Sequence, residues 1–61
     1  MTALKRARKS QGMTQTELAE FIGVTQGAVH QWESGKSKPT IDNLKKIANL
    51  FNCKVDDLID K

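Results

Sequence analysis

A single cysteine, Cys53, stands in this chain of 61 residues. No internal disulfide can staple it, and no Cys/His cluster at metal-ligand spacing accompanies it. Set among apolar residues, Cys53 reads as a small buried hydrophobe. Tyrosine is absent, and Phe21, Trp32 and Phe51 are the only aromatics. All three are expected in the core, which leaves no free ring to stack unpaired RNA bases. No apolar run approaches the roughly 20 residues of a membrane span. The opening "MTALKRARKS" lacks the apolar stretch of a signal peptide. His30 is the only histidine, and no nucleophile–base pair at usable spacing surrounds it or Cys53, so an enzyme is not expected. No metal, cofactor, small-molecule ligand or membrane partner is expected either. The length allows one domain, residues 1–61. Such a domain buries only about 60% of its unfolded surface, so its core is marginal. A small cytoplasmic globular domain is the class that remains.

Charge is missing from one place in particular. The run "FIGVTQGAVHQW", residues 21–32, holds none, in a chain that is 28% charged. It is not apolar either: Thr25, Gln26, His30 and Gln31 are polar, and Gly23 and Gly27 interrupt it. The net charge is +3, and all of the excess lies early. Residues 1–38 carry six Lys and Arg against three Glu, whereas residues 39–61 carry four Lys against four Asp. That asymmetry fits a polyanionic partner approached from one side.

Caps and glycines divide the chain into short helices. Thr2 is a candidate cap for the first, with Leu4 and Ala7 inward and Gly12 closing it. "TQTE", residues 14–17, is a capping box that opens a second helix carrying Leu18, Ala19 and Ile22. Gly23 supplies its left-handed stop. Thr25 caps a third helix, "QGAVHQWE", which ends before Gly35. "GKSKPT" is a loop, and Thr40 caps a fourth helix from Ile41 to about Asn52. Ile41, Leu44, Ile47, Ala48 and Phe51 recur there at helical spacing. "VDDLID" predicts a fifth helix with Val55, Leu58 and Ile59 inward. Nothing alternates with period two. The expected fold is all-α, a compact bundle of five short helices.

Only Gly23, Val24 and Thr25 join the second helix to the third. A link this short forces a steep crossing, the helix-turn-helix arrangement. With Val29 and Trp32 inward, Gln26, Gly27, His30, Gln31 and Ser34 fall on the outer face of the third helix. The chemistry of that face suits the edges of base pairs. Glutamine can bond in a bidentate way to adenine N6 and N7, and a threonine methyl can touch a thymine methyl. Histidine can donate to guanine, and Gly27 lets the backbone come close. A carboxylate here would be repelled by phosphates. The cations that supply affinity belong at the rim, on Lys36, Lys38 and the first helix.

The combination of "TQTELA", "GVTQGAV", "WESGK" and a Pro-Thr pair resembles the helix-turn-helix domains of the lambda-type phage repressors and Cro proteins and of their bacterial relatives. The likeness runs from Leu4 to Ile59. It implies a five-helix fold and double-stranded DNA as partner. It further implies that Gln15 touches a phosphate and braces Gln26. Gln26, Gly27 and Gln31 would read bases, with Thr25 and His30 beside them. The backbone and lysines of "GKSK", with Lys36, Ser37 and Lys38, would hold a phosphate. Arg8 and Glu33 would form a buried ion pair. Gly27 stands where many relatives carry a reading side chain. With so little before the first helix, no arm wrapping DNA is expected, and on size a Cro-type regulator is expected rather than a two-domain repressor.

The expected function is therefore a sequence-specific transcriptional regulator of Cro type. It would bind a pseudo-palindromic operator as a weak homodimer that pairs through the neutral segment between Phe51 and Ile59. An antitoxin-like module with a protein as its main partner is the alternative.

Overall fold

The computed structural model describes residues 1–60. Four α-helices follow one another: α1 (Thr2–Ser10), α2 (Gln15–Ile22), α3 (Gln26–Ser34) and α4 (Ile41–Phe51). A 3-10 turn, Val55–Leu58, completes the fold in place of a fifth α-helix. No strand occurs among the described residues, and no helix is long and apolar enough to cross a membrane.

Threonines start three of the helices. The Glu17 amide donates to Thr14 Oγ1 at 3.1 Å, and the Thr14 amide donates to Glu17 Oε1 at 2.9 Å, closing the capping box. Thr25 Oγ1 accepts from the Ala28 amide, and Thr40 Oγ1 from the Asn43 amide, both at 3.1 Å. Each such cap satisfies a donor that a helix start leaves unpaired, worth about 1 kcal/mol. Gly23 closes α2 at φ 79° and Gly35 closes α3 at φ 87°, a backbone region in which a Cβ is strained.

The first helix departs from this pattern. Thr2 is already helical, and the preceding residue makes no side-chain cap bond. The cap comes from the far end of the chain. Asp60 accepts from the amides of Thr2 at 2.8 Å and Ala3 at 2.6 Å. Those two bonds, and the charges of the N-terminal ammonium and Arg6, hold the Asp60 carboxyl below its ordinary range. An anion at a helix N-terminus is also favoured by the helix dipole.

The core gathers Leu4 from α1, Leu18 and Ile22 from α2, Val29 and Trp32 from α3, Leu44, Ile47 and Phe51 from α4, and Leu58 from the turn. The most extensive helix pairing is α2 with α3, and the 3-10 turn packs on both α1 and α4. Three residues expected inside lie outside. Phe21 is 70% exposed, Ile41 59% and Ile59 41%. On α2 the stripe Leu18–Ala19–Ile22 already faces the core, and Phe21 sits about 100° round the helix from Ile22. Ile41 is the first residue of its helix and Ile59 follows the last turn, so both overhang the core's edge. Cys53 and Val55 are only half-buried.

Candidate nucleic-acid interface

The three-residue link Gly23–Thr25 places α3 across α2 with one face outward. Val29 and Trp32 are buried on the inner side, while Thr25, Gln26, Gly27, His30, Gln31 and Ser34 are all exposed. The structure thus gathers all five candidate base-reading residues on one uncharged, solvent-facing surface. Thr25 has a second task there, since its hydroxyl oxygen caps α3. Its methyl and hydroxyl proton remain available to a partner.

Gly27 shows that this surface is not shaped by the fold alone. A Cβ built on it would meet only Thr25 Oγ1, at 3.9 Å, an ordinary contact, and its φ lies outside the left-handed region. Neither space nor backbone geometry demands glycine. Gly27→Ala should therefore raise folding stability by up to about 0.5 kcal/mol, since Gly27 lies in the first turn of α3 and the glycine penalty is largest in the middle of a helix. Thermal melts check it; a destabilised variant would show that the fold itself needs the glycine.

Beneath the outer face runs a continuous chain of polar contacts. Arg8 Nε donates to Glu33 Oε2 at 2.7 Å and Arg8 Nη2 to Glu33 Oε1 at 3.0 Å, a two-pronged ion pair. The two side chains are only 8% and 3% exposed. Arg8 Nη1 also donates to the Met13 carbonyl at 2.7 Å, which ties α1 to the turn before α2. Gln15 Nε2 donates to Glu33 Oε1 at 3.0 Å. Gln26 Nε2 in turn donates to Gln15 Oε1 at 2.8 Å. Burial pushes the Glu33 carboxyl up, but the bonds from Arg8 and Gln15 outweigh it and hold the group below its ordinary range. The bond to Glu33 raises the Arg8 guanidinium, against the opposing effect of burial. The Met13 carbonyl carries no signal in the sequence, because any residue supplies one.

The α3–α4 loop holds Lys36, Ser37 and Lys38 exposed at the end of the same helix. The amides of Lys36 and Ser37 donate to the Gln31 carbonyl, at 3.0 and 3.4 Å. Expected as backbone donors to a phosphate, they are already engaged within the α3 cap. The exposed side chains of Lys36, Ser37 and Lys38 stand free of that cap. On α1 the cations Lys5, Arg6 and Lys9 are exposed; the charge of Lys5 makes a small contribution to lowering Glu33, and that of Arg6 to lowering Asp60. No group of side chains with metal-ligand character assembles among the described residues.

Comparison with known proteins agrees with this geometry. A family model described as helix-turn-helix matches residues 4–58. The HTH-type transcriptional activator BcrR of Enterococcus faecalis is 38% identical over 56 residues, which are 92% of this chain and 28% of that protein. An uncharacterized HTH-type transcriptional regulator of Archaeoglobus fulgidus is 39% identical over 57 residues, 93% of this chain and 81% of that protein. The cryptic phage CTXphi transcriptional repressor RstR of Vibrio cholerae is 36% identical over 55 residues, covering 90% of this chain and 49% of RstR. The chain thus spans about half the length or less of several curated relatives. The restriction-modification controller protein C.AhdI from Aeromonas hydrophila superposes with a TM-score of 0.85 at 24% identity, over 95% of this chain and 88% of that one. That likeness is one of fold.

Proposed function

This chain belongs to the helix-turn-helix family, and from that premise we propose that it is a sequence-specific DNA-binding regulator of transcription, acting in the cytoplasm as a Cro-type repressor. The observation that carries the proposal is the exposed, uncharged face of α3, braced from below by the chain Gln26–Gln15–Glu33–Arg8. In this reading α3 enters the major groove. Gln26 and Gln31 bond to adenine edges, and Thr25, Gly27 and His30 lie against the neighbouring bases. Gln15, Lys36, Ser37 and Lys38 hold phosphates at the rim and set the register without reading sequence. Repression by occupying an operator needs nothing beyond this surface.

One such helix reads too few base pairs to find a site in a genome. Two copies about a two-fold axis double the readout, with half-sites about 10–10.5 base pairs apart. Phe51 and Leu58, in the segment expected to pair, are committed to the core. The exposed apolar residues Ile41 and Ile59 instead line a groove of about 280 Å³ with Met1, Lys38, Pro39 and Leu44. We place the homodimer contact at that groove. Its small area suits a dimer that forms mainly on the operator. Selection of bound sequences from a random DNA pool tests the whole reading. A pseudo-palindromic consensus supports it, and an unstructured pool refutes it.

The phosphate contacts have their own signature. Lys36→Ala and Lys38→Ala should weaken binding to all sequences alike. Each lost contact should lower the slope of log affinity against log salt by about 0.9. Altered sequence preference at an unchanged slope would remove these lysines from the phosphate set.

A further inference from the structure

Among the outward residues of α3, Gly27 alone has no side chain, and it leaves a notch in the face. Thr25 and Gln26 precede the notch, and His30 and Gln31 are its neighbours three and four residues on. All four are exposed. A Cβ built at Gly27 would meet only Thr25 Oγ1, at 3.9 Å, so no side chain of the protein fills the space. The backbone there lies outside the left-handed region, so folding does not call for glycine at this position. What glycine provides is a close approach for a group from outside. The notch is small, and its floor is the Gly27 Cα–H, an apolar surface. It suits a compact apolar group.

Base edges in the major groove present donors and acceptors, with one apolar protrusion among them, the C5-methyl group of thymine. We infer that Gly27 is a specificity-determining residue whose notch takes the C5-methyl group of a pyrimidine. The inference rests on the reading of α3 as the base-reading helix. It has a consequence for modified DNA. Thymine carries an acceptor at O4, whereas cytosine carries a donor at N4. A notch that touches only the methyl group senses neither. Cytosine methylated at C5 bears the same methyl group at the same place on the ring. The contact made with thymine is therefore open to 5-methylcytosine as well, and C5 methylation at that position strengthens binding.

Gly27→Ala is the informative variant, because it should fold at least as well as wild type. In the operator selected from the random pool, each symmetric pair of thymines is changed in turn to uracil, which removes the methyl groups and nothing else. At one such pair, wild type should lose about fourfold in affinity for each methyl removed, the yield of burying one methyl-sized group. In Gly27→Ala the alanine methyl takes the space. Thymine should then hold no advantage over uracil at that pair, while uracil penalties elsewhere stay as they are. A second arm places cytosine and 5-methylcytosine at the same pair. Methylation should raise wild-type affinity about fourfold per site and bring Gly27→Ala no gain. The inference is overturned if uracil costs wild type nothing at any position, or if every uracil penalty persists in Gly27→Ala. It is also overturned if Gly27→Ala loses affinity equally on the thymine and uracil operators, since glycine would then serve only the approach of the backbone. A methyl effect on thymine without one on cytosine overturns the response to methylation. Base reading is judged separately, by Gln26→Ala and Gln31→Ala on the same operator. If either relaxes preference at one symmetric pair, base reading stands whatever Gly27 does. If neither does, base reading fails and the inference falls with it.

Discussion

Glu33→Ala is expected to destabilise the protein by about 3–5 kcal/mol. Removing one partner of a buried ion pair strands the other charge without water or counter-ion. Here the stranded group would be Arg8, whose side chain is 8% exposed and which bonds to Glu33 through two nitrogens. Arg8→Ala should cost a similar amount. A domain of this length has roughly 3–9 kcal/mol of total stability, at 0.05–0.15 kcal/mol per residue. Either variant should therefore sit near the edge of unfolding at room temperature. Replacing both partners with methionine should be far milder, since a hydrophobic pair of similar volume leaves no buried charge. The acid limb carries the same signature. Glu33 has a folded pKa below its unfolded value, so its contribution is complete above about pH 4.3. It is lost as pH falls through the folded value. Asp60, also lowered, acts in the same direction. Urea melts at pH 7 and at pH 3 check this. A change well under 1 kcal/mol for Glu33→Ala at pH 7 would mean that the pair contributes little.

Leu58→Ala is expected to cost about 2–5 kcal/mol, the range for deleting a buried leucine side chain and leaving a cavity. The turn that carries Leu58 is only four residues long and has little helical stability of its own. Its place is set by packing: Leu58 is fully buried, and the turn touches both α1 and α4. Two residues further on, Asp60 holds the start of α1. Loosening Leu58 should therefore loosen that cap as well, and the loss should fall toward the upper part of the range. Denaturant midpoints measure it. A cost under 1 kcal/mol would show that the C-terminal turn is not part of the cooperative unit.

Most of the architecture was legible because local rules wrote it. Thr14 with Glu17, Thr25, Thr40 and the left-handed glycines at 23 and 35 each act within a few residues, so their spacing alone locates α2, α3 and α4. The start of α1 was not legible, because its cap arrives from 58 residues away and Thr2 only resembles a cap. Helical periodicity identified Leu44, Ile47, Ala48 and Phe51 correctly, and it failed for Ile41 and Ile59. Periodicity says which side of a helix is apolar, but not where along its length the core stops. The exposed face of α3 followed from the burial of Val29 and Trp32. The Gln15–Glu33 bond beneath it did not, because it depends on three helices meeting at Glu33. The Lys36–Lys38 segment is exposed, and the amides of Lys36 and Ser37 bond to the Gln31 carbonyl, a pairing that the left-handed Gly35 cap sets up.

In the proposed function the outer face of α3 reads bases while the rim only holds phosphates. Gln31 tests it most directly, since its side chain is exposed on that face. Wild type and Gln31→Ala are compared on a library of single-base variants of the selected operator. The account predicts that Gln31→Ala loses about 1–3 kcal/mol of discrimination at one symmetric pair of positions, while non-specific binding and its salt slope stay unchanged. A uniform loss across every variant, or an optimum without two-fold symmetry bound by a single copy, would contradict it.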